Sequence, residues 1–201
     1  MREMLKESFE KRSSKNLVIT ISGLHGVGKS TIAKSISKEF NLRYISAGLL
    51  FREIAKEKNL SLLELSEKAM LSPEIDAIID NMQREEASKG NVVIDGLISS
   101  FICKDFANIK IYIKANLETR INRIAKRDGI DFNKALKETL ERENNEKERF
   151  KKFYGFDIDD ISIYDLVIDN SFISVSICVK IIKMYINEYL KNIKNRLSDN
   201  K

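Results

Sequence analysis

The sequence predicts an α/β fold in which a parallel five-stranded sheet carries helices on both faces. Three observations predict it: short β-branched runs that are apolar at nearly every position, amphipathic stretches between them, and a glycine-rich turn where the first run meets the first helix. Strands buried on both faces lose the alternation of a half-exposed strand, so apolar runs separated by helices call for parallel pairing.

Residues 17–22 (LVITIS) form the first run and end at a glycine. Over 30–40, Ile32, Ala33, Ile36 and Phe40 recur on one helical face. Tyr44-Ile45-Ser46 is a brief extended piece, after which Leu50, Ile54 and Ala55 continue as a helix. Ser61 and Glu64 make a capping box, the hydroxyl accepting from a late amide while the carboxylate reaches back. Ser72-Pro73 reads as an N-cap followed by proline at the first helical position, opening a helix that runs to Gly90. Residues 91–96 (NVVIDG) and 109–113 (IKIYI) are the next buried strands. Helices follow over 117–127 and from 133 to about 151, then a strand at 165–169 (DLVID) and an amphipathic helix over 175–195. No internal repeat or linker divides the chain.

Its 201 residues suit one domain of ordinary size. No apolar run approaches the roughly 18 residues of a membrane span, and the polar start is not a secretory signal. Cys103 and Cys178 are far apart and form no metal-ligand set, which points to a reducing cytoplasm. With His25 the sole histidine, serine–histidine–aspartate and zinc chemistries lack material. A net charge of +5 raises a nucleic-acid reading, but no aromatic stripe accompanies the lysines, which read as the coat of exposed helix faces.

The strongest motif is Gly23-Leu24-His25-Gly26-Val27-Gly28-Lys29-Ser30, followed by Thr31. It matches G-x-x-x-x-G-K-[ST] between a strand and a helix, the setting in which curled backbone amides and a helix amino terminus cradle phosphate. Lys29 would reach the β- and γ-phosphates and Ser30 would hold Mg²⁺. His25 reads as a loop position contributing its backbone amide. A GTPase is excluded, because Asn133-Lys134-Ala135-Leu136 lacks the aspartate of the base-reading motif and Asp95-Gly96-Leu97-Ile98 fails the second one. Asp95 closes a β-run and would sit beside the phosphate loop, orienting water on the metal. Arg120, Arg123 and Arg127 share a helical face, and with Arg142 and Arg149 they are all arginine, whose planar fork suits phosphate oxygens. The glutamates among them leave a salt-bridged solvent face as the alternative, which arginine at all five positions disfavours.

From 18 to about 171 the chain resembles the nucleoside monophosphate kinases, most closely the archaeal type of cytidylate kinase. Five stretches carry the likeness: the phosphate loop; 45–53 (ISAGLLFRE); 90–96 (GNVVIDG); Ala115-x-x-Glu118-x-Arg120-x-x-Arg123 to Arg127; and Arg142 to Arg149 running into 154–169 (YGFDIDDISIYDLVID). The resemblance implies a P-loop kinase of a single domain over 1–201. Its core spans about 17–171, a mobile acceptor-binding helical segment about 46–90, and a lid about 123–152, with a 1–16 extension and a C-terminal helix over about 175–195. It implies transfer of the γ-phosphoryl group of ATP, with Mg²⁺, to a nucleoside monophosphate, CMP or dCMP first. Ser46, Gly48 and Arg52 match the acceptor segment, with Asp95 beside them. Arg123 and Arg127 match positions that stack on the ATP base or contact its phosphates, and Arg142 and Arg149 match lid arginines over the transferring group. A cytoplasmic monomer acting on small nucleotides, without membrane or nucleic-acid partners, is expected.

One position departs from the pattern. Related cytidylate kinases carry arginine after the glycine of the 95–96 pair, and here Leu97 stands, with Arg84 a possible substitute. Two further readings therefore stay open: a kinase for another small acceptor, such as a different monophosphate or dephospho-coenzyme A, and a non-catalytic ATP-binding module with a protein or RNA partner.

Overall fold

A computed structural model describes residues 16–198; the amino-terminal extension, apart from Asn16, lies outside the described residues. Strands β1 (Val18–Ser22), β2 (Arg43–Ser46), β3 (Val92–Asp95), β4 (Ile109–Lys114) and β5 (Leu166–Asp169) form one sheet in the order β2-β3-β1-β4-β5. Every neighbouring pair is parallel. The helices are α1 (Lys29–Glu39), α2 (Ala47–Glu57), α3 (Leu62–Leu71), α4 (Glu74–Ser88), α5 (Ser99–Ile102), α6 (Leu117–Asp128), α7 (Phe132–Tyr154) and α8 (Val175–Ser198).

The sheet has two different faces. Ile19 and Ile21 of β1 pack with Ile32 and Ile36 of α1 and Ile182 and Ile186 of α8. Val18 joins Val92, Ile94, Ile102 and Phe150 on the other side. There Thr20 and Ser22 also point, and the Ser100 hydroxyl bonds both, at 2.8 and 2.9 Å. Buried hydroxyls are tolerated because each has a partner. Smaller apolar clusters stand apart from this core. Phe51, Ala55, Leu65 and Ile79 unite α2, α3 and α4, while Ile121, Ile124 and Ala135 unite α6 and α7.

Local signals set most boundaries. Ser61 makes the expected capping box with Glu64, and Asn116 and Asp131 cap α6 and α7. The helix read from Pro73 begins one residue later. Ser72 is extended, as a residue before proline tends to be, and Pro73 is the N-cap, its carbonyl accepting from Ala77 at 2.8 Å. That helix also ends at Ser88, short of the left-handed Gly90. The four-residue α5 is too short to show a period and was not anticipated.

The chain runs from β1 to β2 and β3 on one side, then crosses over β1 to β4 and β5 on the other. A crevice therefore opens at the carboxyl ends of the strands beside β1. Register places Asp95 level with Ile21 on one neighbour and with Ser46 on the other.

Candidate active site

The loop over 23–28 joins the end of β1 to the start of α1. Glycine is required sterically at two of its turns. At Gly23 (φ +143°) a Cβ would lie 2.1 Å from the Ile113 carbonyl oxygen, and at Gly26 (φ +79°) 2.5 Å from that of Arg120. The loop is thus pressed against β4 and α6. Beyond it lies a cavity of about 700 Å³, bounded by the loop, α2, α4, α6 and α7.

Lys29 opens α1 and turns its ammonium onto the loop, donating to the carbonyls of Gly23 (2.5 Å) and Leu24 (2.8 Å). Burial lowers its pKa to about 8, against the pull of Asp95, Glu146 and Glu143. An anion in the cavity would restore the charged form, so binding takes up protons above that value. For a nucleoside triphosphate seated on the loop, the dissociation constant is expected to rise as pH increases through about 8. Titration calorimetry in two buffers of different ionisation enthalpy checks both the slope and the proton uptake.

Ser30 Oγ donates to Asp95 Oδ2 at 2.8 Å, and Tyr44 Oη donates to Asp95 Oδ1 at 2.7 Å. Asp95 is 2% exposed and lines the cavity. An aliphatic hydroxyl and a carboxylate converging at this separation are the hard oxygen donors that Mg²⁺ takes, so this pair fits the ion.

Among the described residues, six lysine and arginine side chains line the cavity: Lys29, Arg52, Arg123, Arg127, Arg142 and Arg149. Arg52 forms no ion pair or hydrogen bond among the described residues. Burial and the charges of Arg127 and Arg142 push its pKa down, a repulsion that a bound phosphate would relieve. Arg127 is held by Asp128 through two 2.7 Å bonds, and Arg142 bonds Glu146 at 3.0 Å and lies 5.0 Å from the Phe51 ring.

The arginines of α6 and α7 divide into different roles. Arg123 braces the loop from beneath, donating to the Val27 carbonyl (3.3 Å) and to Asn170, whose amide also reaches that carbonyl (2.7 Å). Arg120 pairs with Glu143 at 2.6 Å and holds the His25 carbonyl at 3.0 Å. Arg149, expected over the transferring group, is 1% exposed and ties three helices together. Its Nε meets Asp76 of α4 at 2.6 Å, and its Nη1 donates to the carbonyl and hydroxyl of Ser66 in α3 at 3.2 Å each.

Other expected site residues are also placed. His25, Gly26, Gly28, Thr31 and Gly48 line the cavity, whereas Gly23, Leu24 and Val27 lie outside its lining. Ser46 does not line it either; it is the N-cap of α2, accepting from Leu49 at 3.2 Å. The His25 amide, expected to face phosphate, donates here to Glu143 Oε1 at 3.1 Å. Its imidazole is held below the usual range by burial and by Arg142, and meets Glu146 at 2.6 Å. Leu97 lines the cavity, but Arg84 is exposed and does not, so it fails as a substitute for the missing arginine.

Glu143, Glu146, Asn170 and Tyr44 were not legible as site residues. Acids set among arginines on one helix look like solvent-facing ion pairs until the helix is docked. Asp76, Asp80 and Gln83 did carry a signal, being polar at i, i+4 and i+7 on a single helix.

Among the described residues, no helix is long and apolar enough to cross a membrane. In structure, the shikimate kinase of Bacteroides thetaiotaomicron superimposes with a TM-score of 0.55 at 15% identity, over 85% of this chain and 98% of that one, a likeness of fold. The cytidylate kinase of Staphylothermus marinus is 51% identical over 175 residues, which are 87% of this chain and 99% of the relative. That of Ignicoccus hospitalis is 46% identical over 166 residues, 83% and 96% of the two chains. Residues 18–172 match the cytidylate kinase-like family along nearly the whole sheet and both flanking cavity walls, and this chain belongs to that family.

Proposed function

We propose that the chain transfers the γ-phosphoryl group of ATP to CMP, or dCMP, giving the diphosphate and ADP. The observation that carries this reading is the convergence of Lys29, Arg52, Arg127 and Arg142 on one cavity that also holds Ser30 and Asp95. The relatives named cytidylate kinase support CMP as the acceptor.

The triphosphate is read at residues 23–31, with Arg123 and Asn170 fixing the loop from below. The acceptor phosphate is read on the Arg52 side, between α2 and Asp95. Ser30 and Asp95 would hold Mg²⁺, which when bound neutralises phosphate charge and orients the donor. An ionised phosphate is already a competent nucleophile, so no protein base is needed. The chain's contribution is positioning and charge neutralisation by Lys29 and the guanidiniums. Residues about 46–90 and about 123–152 are proposed to close over the substrates as acceptor segment and lid, excluding water. Their separate apolar clusters support such bodies. A monomer acting on small nucleotides is proposed.

An acceptor screen with ATP and Mg²⁺, read by ADP release over CMP, dCMP, UMP, AMP and dephospho-coenzyme A, tests the assignment. CMP or dCMP is expected to lead; dephospho-coenzyme A leading would replace the reading, and release from none would end it. Arg52→Ala is expected to raise the KM for the monophosphate by on the order of 10²-fold with the KM for ATP nearly unchanged. A rise confined to ATP would mean the two sites are reversed.

A further inference from the structure

The acceptor side of the cavity is walled by α4, which turns Asp76, Asp80 and Gln83 inward, all buried. An amphipathic helix ordinarily gives that face to apolar side chains. Asp76 is answered by Arg149. Asp80 forms no ion pair among the described residues, and its hydrogen bonds all run one way. Tyr154 Oη donates to Oδ2 at 2.5 Å, and Gln83 Nε2 donates to Oδ1 at 3.3 Å. Ser99 Oγ donates to Gln83 Oε1 at 2.6 Å, which fixes the end of that amide facing Asp80. Gln83, oriented by Ser99, and Tyr154 behind the wall therefore converge on one carboxylate, which accepts in both bonds. Arg84 and Arg149 act on it through their charge without an ion pair, so its hydrogen-bond donors are all neutral, and a further donor arriving from the cavity would stabilise it.

We propose that Asp80 accepts a hydrogen bond from the exocyclic amino group of the acceptor's base, so that the site selects cytosine over uracil. The proposal rests on the monophosphate kinase reading above. Uracil places a carbonyl oxygen where cytosine carries that amino group. Set against an acceptor already surrounded by its donors, the oxygen has no proton to share and is repelled. Leu97, on the same wall, offers no hydrogen bond that could rescue it.

Initial rates with CMP and with UMP at saturating ATP and Mg²⁺ test the assignment in the wild type, Asp80→Asn and Tyr154→Phe. Wild type is expected to favour CMP in kcat/KM by on the order of 10²-fold or more. Asp80→Asn, whose amide can donate to the uracil oxygen, should narrow that ratio to about tenfold or less through a raised KM for CMP, with the KM for ATP within about twofold. Tyr154→Phe frees the carboxylate from its positioning donor and should narrow the ratio severalfold in the same direction; it carries the test if Asp80→Asn does not fold. Equal loss on both acceptors, or an unmoved ratio, would make Asp80 a structural group and overturn the proposal alone. Wild type that turns over neither acceptor overturns the kinase reading, and this one with it.

Discussion

Replacing Lys29 with alanine is expected to lower turnover by on the order of 10³-fold or more while the circular dichroism spectrum stays that of the wild type. The ammonium is the cation anchored within the phosphate loop itself, bonded to the Gly23 and Leu24 carbonyls from the first residue of α1. The fold does not depend on it, because the loop is also pinned by Arg123 and Asn170 at Val27 and by Arg120 at His25. Transfer does depend on it, since charge spreading over the moving phosphoryl group needs a cation already in place. An alanine variant that kept most of the wild-type rate would remove the phosphoryl-transfer assignment.

Arg149→Met should behave in the opposite way, as a stability defect before a catalytic one. Its guanidinium and the Asp76 carboxylate form a buried pair, and removing one partner strands the other, at a cost of about 3–5 kcal/mol. For a chain of this size that corresponds to a fall in Tm on the order of 10 °C. The loss should depend on pH. Burial already pushes the Asp76 carboxyl up to about 6, against the pull of Arg149. Without the arginine that value rises further, so the folded variant binds a proton that the unfolded chain has released. Such a group loses stability as pH rises, so the deficit relative to wild type should be larger at pH 8 than at pH 5. The double variant Arg149→Met with Asp76→Leu should recover most of the loss. Thermal melts of the two variants, alongside kcat, decide the matter. An unchanged Tm with kcat lowered on the order of 10³-fold would instead return Arg149 to the transferring group.

Much of this architecture was written in local pattern. Five strands, the strand-loop-helix setting of the phosphate loop and the cap at Ser61 follow from periodicity and turn chemistry, which act over a few residues. Lys29, Ser30 and Asp95 were legible for the same reason, because each belongs to a short motif whose geometry is fixed by its own strand or helix. The arginines were harder. Side-chain type marked them as phosphate ligands, but partner choice is decided by docking across long separations. Arg149 finds Ser66 and Asp76, and Arg120 finds His25. Glu143 and Glu146 were not picked out for a related reason. Charged residues on a long helix look solvated unless the sequence reveals which helix face is covered, and here the covering surface is the phosphate loop. Ser46 shows the reverse error, a residue of the right segment whose hydroxyl is spent on starting α2.

The place of β1 in the sheet has a mechanical consequence. It is hydrogen-bonded along both sides, to β3 and to β4, whereas among the described residues β2, which feeds α2 and Arg52, is paired along one side only. Stiffness should therefore fall off from the donor's grip toward the acceptor's. Amide protons of Ile19 and Ile21 would be among the slowest to exchange with deuterium, and those over 43–57 markedly faster. One nucleotide would then meet a fixed seat while the other is free to be drawn in against it.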